Sequence, residues 1–220
     1  MADPLVKVPV VLAEPTVSIN VDETFTLPIP AGLPGALQIK TIEKRVKLTQ
    51  CLLALPSNIL FIKGFVRKDI QYAVVEGVGT PEMPAVVSNM RDYTIDIPIS
   101  TQVDLTGTFL TPPIATSVNT RTDFEFLTST KLPNGFPAKD RLLAGDLTQF
   151  DQTSTEYFNE LPFCELVSAS IIEYDEYLNR TSPIPLDNTP FEEGVFTQVE
   201  EKMVVTITLK VLQKQQVTIL

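Results

Sequence analysis

The side chains with most scope for chemistry in this sequence are its acids, and they come in clusters. Glu173, Asp175 and Glu176 lie in EYDEY, Glu192 and Glu193 in FEEG, and Glu200 and Glu201 in VEEK. Two carboxyls facing each other about 5–10 Å apart across a cleft would make a glycosidase-type acid and base. In an extended strand, alternation instead puts Glu173 and Asp175 on one side, with Tyr174 and Glu176 on the other. Nothing in the sequence supplies the cleft, so these acids are expected on solvated strand faces or in turns. Calcium could use such oxygens, but the DxDxDG spacing of a dedicated loop is missing.

Histidine is absent altogether. That removes Ser-His-Asp and Cys-His catalysis, histidine zinc sites and ordinary proton shuttling near neutral pH. There is no GxGxxG, P-loop or GxSxG elbow either. The reading is of a non-enzyme with no catalytic, cofactor-binding or metal-binding residue and no cofactor. Cys51 and Cys164 are too far apart in sequence for a CxxC motif. Buried thiols, a disulfide and a cross-link between subunits all stay open for them.

The remaining motif is KGFVRK, residues 63–68, set between two apolar blocks in NILFIKGFVRKDIQYAVV. Leu60, Ile62, Val66, Ile70, Tyr72 and Val74 share one parity there, which Gly64 and Lys68 interrupt. A glycine inside a strand marks a bulge or the close approach of another backbone. Lys63, Arg67 and Lys68 are expected along an exposed edge, either meeting an acidic face of a neighbouring subunit around Glu173, Asp175 and Glu176 or discouraging indiscriminate strand pairing.

The elements that must hold these residues are strands. Val17, Ile19, Val21, Phe25 and Leu27 alternate with polar residues, while Val6, Val8, Val10 and Leu12 alternate on the opposite parity. The phase slips at AEPT, where a bulge or turn at Pro15 restores the facing. PIPAGLPGAL reads as a connector. QIKTIEKRVKLTQCLLAL reads as one strand or two, with Lys40, Lys44, Arg45 and Lys47 on its wet side, and VVEGVGTPEMPAVV reads as turns. A long alternation runs from Tyr93 to Phe109, where Pro98 points to an edge or a kink. Residues 110–162 are the least regular, and PAKDRLLAGDLTQF within them suggests a short helix. Strand returns in FCELVSASIIEYDEYL and from Met203 to Val211.

The chain has 220 residues, 44% of them hydrophobic and 20% charged, enough for one core without a metal or disulfide staple. Its net charge of -10 repels phosphate, so nucleic acid is not an expected partner. No apolar run reaches the ~18–20 residues of a membrane-spanning helix, and the N-terminus lacks a secretory pattern, so synthesis in a cytoplasm and no membrane insertion are expected. The pattern predicts an all-β fold, a β-sandwich or jelly-roll-like domain over residues 32–220 with an irregular insertion at about 110–162. Residues 1–31 form either an extended N-terminal arm that pairs with a neighbour through Val6, Val8, Val10, Leu12, Val17, Ile19 and Val21, or the first strands of the chain's own sandwich.

In VKVPVVLAE, LTQC, LFIKGFVRKDIQYA, LPFCELVSA and EEKMVVTITLKVLQKQQV the sequence resembles the spore-coat and exosporium proteins of endospore-forming Firmicutes that carry the domain called SPOCS or DUF3794. The resemblance runs from Val6 to about Val217. It implies a structural protein, made in the mother cell and placed on the endospore surface as coat, exosporium or appendage. It also implies self-assembly into a layer or filament, with other spore coat proteins as partners, or an adaptor role toward them. The matching positions Lys63, Gly64, Phe65, Val66, Arg67, Lys68, Cys51 and Cys164 carry no catalytic role in that family. Some relatives are richer in cysteine, which argues against extensive disulfide cross-linking. No peptidoglycan-binding module follows the domain, which favours a shell or appendage subunit.

Overall fold

The structure, a computed structural model, describes residues 4–145, 150–181, 188–190 and 192–218. Its strands are β1 (Leu5–Ala13), β2 (Thr16–Thr26), β3 (Ala36–Ala54), β4 (Ile59–Thr80), β5 (Met83–Asp104), β6 (Thr120–Phe124), β7 (Leu127–Lys131), β8 (Arg141–Gly145), β9 (Asp151–Thr155), β10 (Phe163–Leu178) and β11 (Gln198–Thr218). No α-helix occurs among the described residues. The chain forms two compact units, one of Met1–Ile114 with Pro162–Leu220 and one of Ala115–Leu161.

The larger unit is a β-sandwich. One sheet is the antiparallel meander β3-β4-β5. The other is organised by β11, which pairs with β10 along one side and with β1 and β2, end to end, along the other. Neighbouring order in one sheet and convergence on a single strand in the other is the topology observed, rather than the interleaved order of a jelly roll. Strands β3 and β10 face each other across the core, as do β2 and β5.

Period-two alternation builds that core. Strand β4 sends in Leu60, Ile62, Val66, Ile70, Tyr72 and Val74, and β11 answers with Val199, Met203, Val205, Ile207, Leu209 and Val211. Both strands lie in the middle of their sheets, so their inward side chains are the most deeply covered. At about 25 cal/mol per Å² of apolar surface, this interlayer is the main source of stability. The Tyr72 hydroxyl donates to the Pro28 carbonyl at 2.6 Å, and the rings of Tyr177 and Phe196 stack 3.9 Å apart, closing one end.

Several sequence expectations need amending. The turn-rich reading of VVEGVGTPEMPAVV gives way to a continuous β4–β5 ribbon that turns only at Pro81 and Glu82. Gly77 and Gly79 fall at register shifts, so they mark bulges inside a strand. The helix expected in PAKDRLLAGDLTQF is not formed by Arg141–Gly145, which is β8 paired with β7; residues 146–149 lie outside the described residues. Leu142 and Leu143 are both exposed, so there is no apolar face for a helix to bury.

Gly64 occupies a β-bulge region of the β3–β4 ladder opposite Leu48, and a Cβ there would collide with the Lys47 carbonyl oxygen. The close backbone approach is what this position needs glycine for. Pro98 lies on β5, an edge strand of its sheet.

Candidate functional site

The strand KGFVRK belongs to is not an edge. β4 is hydrogen-bonded on both sides, to β3 and β5, and alternation sends its charged residues in opposite directions. Lys63 and Arg67 face solvent, where the Arg67 guanidinium holds Asp96 of β5 through two 2.8 Å hydrogen bonds. Lys68 shares the parity of Val66 and Ile70 and points into the core, 0% exposed. The expectation of an exposed basic stripe therefore fails at Lys68.

Its partners come from the other sheet. On β11, Glu201 lies in phase with Val199 and Met203 and is likewise 0% exposed. On β10, Glu173 and Asp175 lie in phase with Ile171 and Tyr177 and face inward. The Lys68 Nζ donates to Glu201 Oε2 at 2.8 Å and stands 3.3 Å from Glu173 Oε2 and 3.5 Å from Asp175 Oδ1. Lys44 of β3 turns inward too, with its Nζ 2.7 Å from Glu173 Oε1, whereas Lys40, Arg45 and Lys47 are exposed as expected. The acids expected to be solvated are thus split, with Glu173, Asp175 and Glu201 internal.

Register explains how tightly the charges are gathered. Lys44 and Lys68 are directly opposite partners in one sheet, and Asp175 and Glu201 are opposite partners in the other. Two ammonium groups thus face three carboxylates across the core. Glu173 Oε2, Asp175 Oδ1 and Glu201 Oε1 are buried without a hydrogen bond among the described residues. Phe25 covers the cluster with its ring 5.6 Å from the Lys68 Nζ.

Burial works against the Lys68 charge, but the Glu201 hydrogen bond and the surrounding carboxylates outweigh it and raise the ammonium above its ordinary range. Burial also raises the carboxyls of Asp175 and Glu201, against the pull of Lys68. The three carboxylates lie close enough to grip a cation, with ligating oxygens within 4.8 Å of one another. Lys68 already provides that positive charge, so a metal would have to displace it.

Cys51 and Cys164 form a disulfide between β3 and β10, joining the two sheets within one chain. The N-terminal residues pair inside the chain as well, Val6, Val8, Val10 and Leu12 on β1 and Val17, Ile19 and Val21 on β2, all against β11. Leu12, Val17 and Ile19 are buried, and the others are half-buried. A charged residue on the apolar parity of a strand was the sequence signal for this cluster, visible at Lys68 and overlooked at Lys44, Glu173, Asp175 and Glu201.

Exosporium protein C of Clostridium sporogenes (strain ATCC 15579) is 33% identical to this chain over 228 residues, an alignment spanning 97% of this chain and 75% of that protein. No family model and no solved structure matches. The narrower likeness to the SPOCS domain accordingly rests on the quoted stretches alone. Among the described residues, no helix is long and apolar enough to cross a membrane.

Proposed function

The chain belongs to the family of exosporium protein C, and from that premise we propose that it is a non-enzymatic subunit of the endospore surface that assembles with copies of itself and with other coat proteins. The observation that supports assembly lies in the smaller unit. No described residue between Ala115 and Leu161 is buried. Its large apolar side chains are turned outward, with Leu127 83%, Leu143 77%, Phe150 78% and Phe158 95% exposed. Two-stranded ribbons such as β6–β9 and β7–β8 are marginal alone, and clustered exposed apolar surface is what interaction sites present.

The N-terminal arm offers a second contact. Residues Leu5–Val10 of β1 pair with Gln213–Thr218, beyond the last residue of β11 that β10 reaches. This two-stranded extension, held among the described strands by β1 alone, can exchange its β1 with that of a neighbour. In this reading the protein is made in the mother cell and laid down at the spore surface, and its repeated contacts build a layer or filament.

Negative-stain electron microscopy of the full chain beside a Leu143→Ser, Phe150→Ser, Phe158→Ser variant tests the proposal. Ordered lattices or filaments lost in the variant support contacts through the smaller unit. Order that survives moves them to the sandwich and its β1 edge. Folded monomers from both would overturn self-assembly and favour an adaptor that recruits other coat proteins.

A further inference from the structure

The geometry of the buried cluster suits more than an ion pair. We propose that Lys68 and Asp175 condense to an intramolecular amide, with Glu201 as the proton carrier, so that β4 and β10 become covalently joined across the sandwich.

Three observations carry this. First, the Lys68 Nζ is 3.5 Å from Asp175 Oδ1, so the amine lies against the carboxyl whose Cγ it must reach, and strands in two packed sheets fix both side chains. Second, Lys68 gives its 2.8 Å hydrogen bond to Glu201, so a proton acceptor already touches the nucleophile. Glu201 and Asp175 are opposite partners on neighbouring strands, so the carrier also stands beside the carboxyl that must be activated. Third, both lysine and carrier are fully buried, beside carboxylate oxygens that have no hydrogen-bond donor. Condensation removes two charges whose burial is costly, and a dry site disfavours the return of water that hydrolysis needs.

The step balances without an oxidant, reductant or co-reactant. Glu201 takes one proton from the Lys68 ammonium and delivers it to Asp175. The freed Nζ lone pair attacks Asp175 Cγ, and the N–C bond forms. Glu201 then takes a second proton from nitrogen and passes it to the departing oxygen. One ammonium and one carboxylate become one amide and one water. Glu201 ends as the carboxylate it began as, placed to accept from the N–H of the new amide. Glu173 stays with Lys44, its 2.7 Å partner, and takes no part.

The amide and the disulfide would share β10. Cys164 lies near its start and Asp175 near its end, roughly 36 Å apart at the rise of an extended strand. The edge strand would be tied to the facing sheet at both ends, once by a bond that reductant cleaves and once by a bond it does not.

Intact-mass spectrometry of the purified full chain after complete reduction tests this directly. The expected mass is that of the sequence less one water, with a digest yielding a branched peptide that joins Lys68 to Asp175. Glu201→Gln retains both reacting groups and should keep the water. Asp175→Asn should lose ammonia instead, ending at the same mass as the reacted wild-type chain. A folded, reduced wild-type chain at its full sequence mass overturns the proposal, as does loss of water mapped to any other pair. If Glu201→Gln fails to fold, Asp175→Asn still decides, because a folded Asp175→Asn chain that retains its ammonia is equally fatal to it.

Discussion

Asp175 and Glu201 stand directly opposite one another on β10 and β11, facing the same interior. Like charges in that arrangement repel across a ladder. They are tolerated because Lys68 enters from the facing sheet and places its Nζ 2.8 Å from one and 3.5 Å from the other. The two sheets are therefore matched in charge as well as in shape, lysines on one opposed to carboxylates on the other.

Lys68 and its sequence neighbour Arg67 should behave in opposite ways. Removing one partner of a buried charge set costs about 3–5 kcal/mol, because the other is left unpaired. Lys68→Met is expected to lose at least about 3 kcal/mol in urea denaturation, and Lys68→Glu to fail to fold. Arg67→Glu, which breaks only exposed contacts, to Asp96 and to the Phe65 ring, should melt close to the parent. Adding Glu201→Leu to Lys68→Met should restore much of the loss, and no recovery would mean that the carboxylate is not the problem.

The same variant should be sensitive to pH. Asp175 and Glu201 are raised by burial, so their contribution favours the fold below the ordinary acid range of about 4 and is lost as pH rises through their raised folded values. Lys68 opposes that rise, whether as the ammonium or by taking Asp175 into the amide, and Lys68→Met removes the opposition. The deficit of Lys68→Met against the parent should be largest near pH 7 and shrink as pH falls toward about 5. A deficit that is flat across denaturation curves in this window contradicts the assignment.

The disulfide closes a separation of 113 residues between Cys51 and Cys164. On chain entropy alone, removing it by Cys51→Ser costs about 5 kcal/mol if it is the sole tie between the sheets. With Lys68 and Asp175 also joined, the ring it closes shrinks to roughly 28 residues and the cost to about 3.5 kcal/mol. Cys51→Ser should therefore be more damaging in an Asp175→Ala background than in the parent, a non-additivity read from chemical denaturation.

Gly64→Ala should destabilise by about 1–3 kcal/mol, the ordinary cost of forcing an atom into packed space. The added methyl meets the Lys47 carbonyl, which is fixed in the β3–β4 ladder and cannot swing aside. Thermal melts of Gly64→Ala beside Gly32→Ala separate this crowding from backbone strain, because Gly32 has open space around it but a φ of 85°.

The sandwich was legible because period-two alternation is local: β2, β4 and β11 each carry their inward faces in their own sequence. The cluster was half legible. Lys68 stands out as a charge on an apolar parity, but its partners lie 105 residues or more downstream, and only the pairing of β10 with β11 in the correct register brings Asp175 beside Glu201. The disulfide was undecided for the same reason. Arg141–Gly145 was misread because leucines in sequence look alike whether they are about to be buried or left in solvent.

The position of β11 has a consequence in time. Each pairing of β1, β2 and β10 in its sheet is with β11. The meander β3-β4-β5 is complete by Asp104 and can form while the rest of the chain is still being made. Strands β1 and β2 leave the ribosome first but have no partner until residues 198–218 appear. Pulse-labelled amide exchange during refolding should protect β3–β5 well before β1 and β2, and simultaneous protection would contradict this order. In that interval two finished strands wait in a crowded cell, and a β11 from another copy is as good a match as their own.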